Sequence, residues 1–269
     1  MTPSTANPQP TWSNDLETSA RIALACLDLT SLNDADTEAD IAKLCQRAQG
    51  PLGPVAAVCV WPHLAPFARS QLPAHISVAA VANFPQGNDD IDVAVRETQQ
   101  IVHAGAQEVD LVLPYRTLIA GDETAVTKLL QAVRLACPGL VLKLILETGE
   151  LKTPALIARA SQLALDAGAD FLKTSTGKTP VHATLDAAHA MLSVIAASPA
   201  AKDHVGLKAS GGIRTVQDAV VYMTLTQQLL GLDTLTPKRF RIGASSLLGD
   251  IEEVLNPQSA LQTQPGGSY

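Results

Sequence analysis

Residues 141–175 read VLKLILETGELKTPALIARASQLALDAGADFLKTS. The stretch opens on a short apolar run, Val141 to Glu147, and closes on another, Asp170 to Ser175. Between them Leu156, Ile157, Ala160, Leu163 and Ala164 recur at the three- and four-residue spacing that gives a helix one apolar face. Ala167-Gly168-Ala169 then supplies the glycine favoured just past a helix end. The pattern predicts a strand, a helix over about Thr153 to Ala167 and a second strand. A crossover of this length lets the two strands lie parallel, with the helix packed on their sheet.

Working outward, the same alternation repeats on both sides. Short runs rich in valine, isoleucine and leucine occur at Ala23 to Leu29, Val55 to Trp61, Ile76 to Phe84 and Glu108 to Pro114. After the stretch already quoted come Val205 to Ser210 and Phe240 to Ser245. Ala104-Gly105-Ala106 punctuates an earlier unit in the same way. Eight runs separated by helical segments predict an α/β chain closing into a single TIM (β/α)8 barrel, a fold of roughly 250 residues. The chain has 269 residues, 46% of them hydrophobic, so one barrel domain over 1–269 accommodates it. A polar N-terminal tail over 1–14 and a flexible tail over 256–269, rich in Gln, Pro, Gly and Ser, are expected at its ends.

Composition narrows the function. The formal net charge is −7 and aromatic residues make up 3% of the chain, which leaves neither a basic phosphate-tracking surface nor a base-stacking platform for nucleic acid. No apolar run approaches the ~18 residues of a membrane span, and the first twelve residues lack the features of a secretory signal. Cys26, Cys45, Cys59 and Cys137 show no paired spacing suited to a zinc site or a redox pair. A cytoplasmic protein with reduced thiols, no metal and no cofactor is expected.

The runs share a second feature, a polar residue towards the C-terminal end: Asp28, Cys59, Asn83, Asp110, Lys143, Lys173, Lys208 and Ser245. Active sites of α/β barrels form at that end. Lone charges buried on apolar strands are costly, so they are either paired with one another or chemically employed, and perturbed charges concentrate at sites. Lys173, in DFLKTSTGK, stands between an apolar strand and a polar turn and is the candidate nucleophile. An amine must be neutral to attack, whereas a free lysine has a pKa of about 10.4. Lys208, in GLKASGGIR on the next strand, would lower that value. Two ammonium groups ~5 Å apart at an effective dielectric near 20 repel by about 3 kcal/mol.

Glycines that let backbone N–H groups approach a phosphate occur after the last two runs, at Gly211-Gly212 and around Gly243-Ala244-Ser245-Ser246. Barrels of this kind often bind phosphate there. Lys178 and Arg214 are placed to add charge, although on the sequence each reads more readily as a solvated surface cation.

Taken together, DFLKTSTGK, GLKASGGIR, NFPQGNDD, EVDLVLPYR, LETGEL and RIGASS resemble the deoxyribose-phosphate aldolase family, from about Asp28 to Leu248. The resemblance implies a metal-independent class I aldolase that cleaves 2-deoxyribose 5-phosphate to glyceraldehyde 3-phosphate and acetaldehyde. It implies Lys173 as the Schiff-base lysine, Lys208 as its perturbing neighbour and Asp110 as the partner of Lys208 in proton transfer. It also implies substrate-binding roles for Asp28, Thr30, Cys59, Lys143, Thr176, Gly177, Lys178, Gly211, Gly212, Gly243, Ser245 and Ser246. The terminal Tyr269 is expected to help transfer a proton at the enamine, since chains of this family tend to end in tyrosine. Phosphorylated sugar and aldehydes are the implied partners, together with a second copy of the chain in a homodimer. His103, His182 and the remaining histidines are assigned no role. Another lysine-dependent sugar-phosphate aldolase or transaldolase, and a silent sugar-phosphate-binding barrel, remain open at this point.

Overall fold

The computed structural model describes residues 15–256. Eight parallel strands close into a barrel in chain order: β1 Leu27–Thr30, β2 Ala57–Val60, β3 Ser77–Ala82, β4 Glu108–Val112, β5 Val141–Ile145, β6 Phe171–Lys173, β7 Gly206–Ser210 and β8 Phe240–Ala244. The helices around them are α1 Leu16–Ala25, α2 Glu38–Ala48, α3 Ala65–Gln71, α4 Ile91–His103, α5 Tyr115–Ile119 and α6 Glu123–Ala136. They continue as α7 Thr148–Leu151, α8 Pro154–Asp166, α9 Leu185–Ala197, α10 Val216–Leu230 and α11 Leu247–Leu255. No helix among the described residues is long and apolar enough to cross a membrane.

The expected crossover helix is α8. The Thr153 side chain accepts from the Leu156 N–H, satisfying one of the free donors of the first turn, and Pro154 follows where its missing N–H costs nothing. Ile157, Ala160, Leu163 and Ala164 are buried on its inner face, as their spacing requires, while Leu156 is only half-buried at the margin. Gly105 and Gly168 take φ of 75° and 81° just past α4 and α8, the left-handed geometry that ends a helix without a Cβ clash.

One expected boundary is corrected. The run from Ala23 to Leu29 is not a single strand: α1 occupies it as far as Ala25, and β1 starts only at Leu27. Asp15 caps α1 by accepting from the Thr18 N–H, and Ala20, Ala23 and Leu24 form its buried face. That face runs straight into an apolar strand, so the sequence contains no polar break between the two elements.

Strand register sets the interior. Lys173 lies opposite Lys208 across β6 and β7, Asp110 opposite Lys143 across β4 and β5, and Lys208 opposite Arg241 across β7 and β8. Side chains alternate along a strand, so Glu108 and Asp110 share one face of β4. Gly206 and Gly243 leave room in this layer. A Cβ on Gly206 would stand 2.3 Å from the Phe171 ring, and one on Gly243 would stand 3.0 Å from Lys208 Cε and 2.5 Å from Ser210 Oγ.

Candidate active site

Lys143, Lys208, Asp28 and Asp110 are fully buried and Lys173 is 2% exposed. Asp110 is the hub of the group. Lys173 Nζ and Lys208 Nζ both donate to its Oδ2 at 2.8 Å, and Lys143 Nζ donates to its Oδ1 at 2.8 Å. Lys208 Nζ also lies 2.5 Å from Asp28 Oδ2, and Lys143 Nζ lies 3.2 Å from Asp28 and 2.5 Å from Glu108. Arg241 closes the network by donating to Asp28 at 2.6 Å and to Glu108 at 2.9 Å.

The network holds four basic side chains and three carboxylates. It becomes neutral when one base gives up its proton, and the contacts show which base is held least. Lys143 pairs with three carboxylates, Lys208 and Arg241 with two each, and Lys173 with Asp110 alone. Burial pushes the Lys173 pKa down, Asp110 opposes this, and Lys208 adds to the fall, leaving it below the ordinary lysine value. Burial also acts against charge on Lys143 and Lys208, but their carboxylate neighbours outweigh it and both are held above the ordinary value. Asp110 is stabilised as an anion well below the usual carboxylate range, because Lys143, Lys173 and Lys208 overcome the cost of its burial. One neutral lysine beside charged partners is the state that a nucleophilic amine needs.

A cavity of about 350 Å³ lies at the C-terminal ends of the strands. Thr30, Thr176, Gly177, Lys178, Gly211, Gly212, Gly243, Ser245 and Ser246, all expected at the site, line it, and so does Arg214. Lys178 reaches across the mouth, its Nζ donating to the Leu32 carbonyl at 2.8 Å. Gly211 and Gly212 have φ of 87° and 79°, so this turn requires glycine. A larger hollow of about 770 Å³ lies on the outer surface along α8 and α9, and among the described residues its lining holds no lysine or arginine.

Several of the expected residues have surroundings of their own. Asp28 and Lys143, like Lys173, Lys208 and Asp110, are not part of the cavity wall; all five lie beneath it in the ion network, where Asp28 and Lys143 are held by Lys208, Arg241 and Glu108. Cys59 is buried in a small apolar cluster with Leu32, Ala79 and Val81, its thiol 3.9 Å from Asp110. Burial and Asp110 push that thiol above its ordinary pKa, away from a reactive thiolate. Gly243 borders the cavity, but its lack of a side chain chiefly accommodates Lys208 and Ser210. Asn83 serves the fold of its loop, donating to the Asn88 and Val112 carbonyls. Tyr269 lies outside the described residues.

Four residues at or below the site were missed. Glu108 and Arg241 stand at the starts of β4 and β8, and the signal was a charge inside EVDLV and FRIGA, runs otherwise suited to burial. Glu147 is fully buried and accepts from the Thr176 hydroxyl at 2.5 Å and the Thr179 hydroxyl at 3.2 Å, which ties down the loop after Lys173. His182, on the same loop, lines the cavity.

Comparisons with known proteins identify the family. The model of the DeoC/LacD family aldolases matches residues 22–248. A solved structure from Coccidioides immitis, assigned as a deoxyribose-phosphate aldolase, superposes with a TM-score of 0.76 at 32% identity, covering 86% of each chain. Another solved aldolase aligns with a TM-score of 0.75 at 30% identity, over 89% of this chain and 98% of its own. The deoxyribose phosphate aldolase of Aeropyrum pernix, described as a unique tetramer, aligns with a TM-score of 0.68 at 26% identity, over 93% and 99%. With the family model spanning nearly the whole barrel, the chain belongs to the DeoC/LacD aldolase family and is a carbon-carbon lyase.

Proposed function

We propose that this aldolase cleaves 2-deoxyribose 5-phosphate through an imine on Lys173. The observation that carries the reading is the uneven sharing of carboxylates, which leaves Lys173 as the one base in the network with a single partner and a depressed pKa. A cavity bordered by Lys178, Arg214 and two left-handed glycines suits the substrate's phosphate, and the substrates named for the related structures support the choice of sugar.

In this mechanism the neutral Lys173 amine attacks the aldehyde carbon of the open-chain sugar, and loss of water gives the imine. Protonated, the imine withdraws the electron pair of the bond between the second and third carbons. The proton of the third-carbon hydroxyl passes to Asp110 through a water as that bond breaks, and glyceraldehyde 3-phosphate departs. Asp110 is a weak base while three cations surround it. Bond cleavage converts the cationic iminium on Lys173 to a neutral enamine, so Asp110 loses one of those charges as the proton arrives and its basicity rises in the same step. Lys208 shares the same carboxylate oxygen and is placed to relay that proton onward. Protonation of the enamine carbon and hydrolysis release acetaldehyde and restore Lys173. Supplying the purified protein with 2-deoxyribose 5-phosphate tests the reading. Stoichiometric acetaldehyde and glyceraldehyde 3-phosphate are expected, and failure to form either refutes the choice of substrate.

A further inference from the structure

Three buried side-chain atoms, Thr148 Oγ1, Ser175 Oγ and His182 Nδ1, have no hydrogen-bond partner among the described residues, and all three lie on the segments that follow β5 and β6. Of these residues only His182 lines the cavity. Its imidazole is held from two sides. A Cβ on Gly211 would stand 2.9 Å from His182 Cβ and 3.1 Å from Nδ1, so the ring occupies the space that this glycine leaves open. One residue earlier, Val181 is clamped by Gly149, where a Cβ would fall 2.5 Å from the Val181 carbonyl oxygen. Glu147 anchors Thr176 and Thr179 at the start of the same loop.

We infer that His182 is a substrate-binding and specificity-determining residue, whose Nδ1–H donates to the anionic phosphate and favours phosphorylated over unphosphorylated sugars. The inference rests on the aldolase reading above and adds a ligand that the motif pattern does not contain. A shielded imidazole nitrogen is normally paired, because an unpaired buried polar atom is costly. Here it is unpaired and shielded beside Gly211, in a ring that borders a cavity lined by Lys178 and Arg214 and, among the described residues, by no carboxylate. An anionic oxygen completes both sets of groups, and a hydrogen bond to a charged acceptor is stronger than a neutral one. Gly211 and Gly149 hold the ring beside the cavity, so turning the imidazole is the motion that presents Nδ1 to an entering anion.

The test compares kcat/KM for 2-deoxyribose 5-phosphate with that for 2-deoxyribose in the wild type, His182→Ala and His182→Phe. The ratio is expected to fall about tenfold or more in both variants, equivalent to about 1.4 kcal/mol. His182→Phe keeps a ring over Gly211 without the nitrogen, so a wild-type ratio there would show that the ring only packs and would overturn the inference. Calorimetric titration with inorganic phosphate gives a readout that needs no turnover. Weaker phosphate binding in both variants supports the subsite even if the wild type cleaves neither sugar, an outcome that would refute the aldolase substrate alone. Equal phosphate affinity in the wild type and both variants would overturn the role of His182.

Discussion

Replacing Lys208 with Met isolates the electrostatic argument. Lys173 and Lys208 donate to the same oxygen of Asp110 at 2.8 Å each, so their nitrogens are separated by no more than twice that distance. At ~5 Å and an effective dielectric near 20, removing one charge relieves about 3 kcal/mol of repulsion, or roughly two in pKa. The two carboxylates that Lys208 leaves behind keep other partners. Asp28 retains Lys143 and Arg241, and Asp110 retains Lys143 and Lys173, so three cations then face three anions and the variant should fold. The amine must be neutral to react, so activity falls as pH falls through the Lys173 pKa. Raising that pKa by about two therefore cuts the reactive fraction at neutral pH roughly a hundredfold. The assay is the rate of acetaldehyde-dependent inactivation by borohydride across a pH series. Its midpoint should move upward in the variant, and an unchanged midpoint would refute the coupling of the two lysines.

Asp110→Asn should still form the imine while losing most carbon-carbon cleavage, because an amide cannot accept the hydroxyl proton; trapping yield and product release measured together check the separation. Arg241→Met takes one buried partner from each of Asp28 and Glu108, which keep their lysines, and should destabilise the barrel by about 1–3 kcal/mol in chemical denaturation. Asp110 is held below its ordinary pKa of 3.8, so its stabilisation is complete above about pH 4 and lost as pH falls towards the folded value. Acid unfolding monitored by circular dichroism should therefore begin at higher pH in a Lys143→Met variant. Activity is expected to survive EDTA, since the protonated imine serves as the electron sink; loss that added divalent metal restores would contradict this.

The barrel was legible because its signals are local. Each strand and helix declares its own period, and Gly105 and Gly168 mark helix ends within a few residues of the faces they terminate. Helix α1 was hidden because Ala23, Leu24 and Ala25 are as apolar as the strand they precede. Lys173, Lys208 and Asp110 stood out as charges at the ends of apolar runs, and the structure brings them to one carboxylate. Glu108 and Arg241 carry the same kind of signal at the strand starts, where both are buried and paired with other charges of the network. Asp28 and Lys143 were visible as charges, but their depth depends on register across four strands, which no single run encodes. His182 acquires its place only through Gly149 and Gly211, on separate loops, so no pattern within its own segment could reveal it.

The most direct test of the central claim is peptide mapping by mass spectrometry after borohydride reduction in the presence of acetaldehyde. Lys173 should carry one ethyl group, and Lys143 and Lys208, held as cations by their carboxylates, should carry none. An ethyl group on Lys208 or Lys143, or a Lys173 that remains unmodified while the enzyme turns over, would contradict the account.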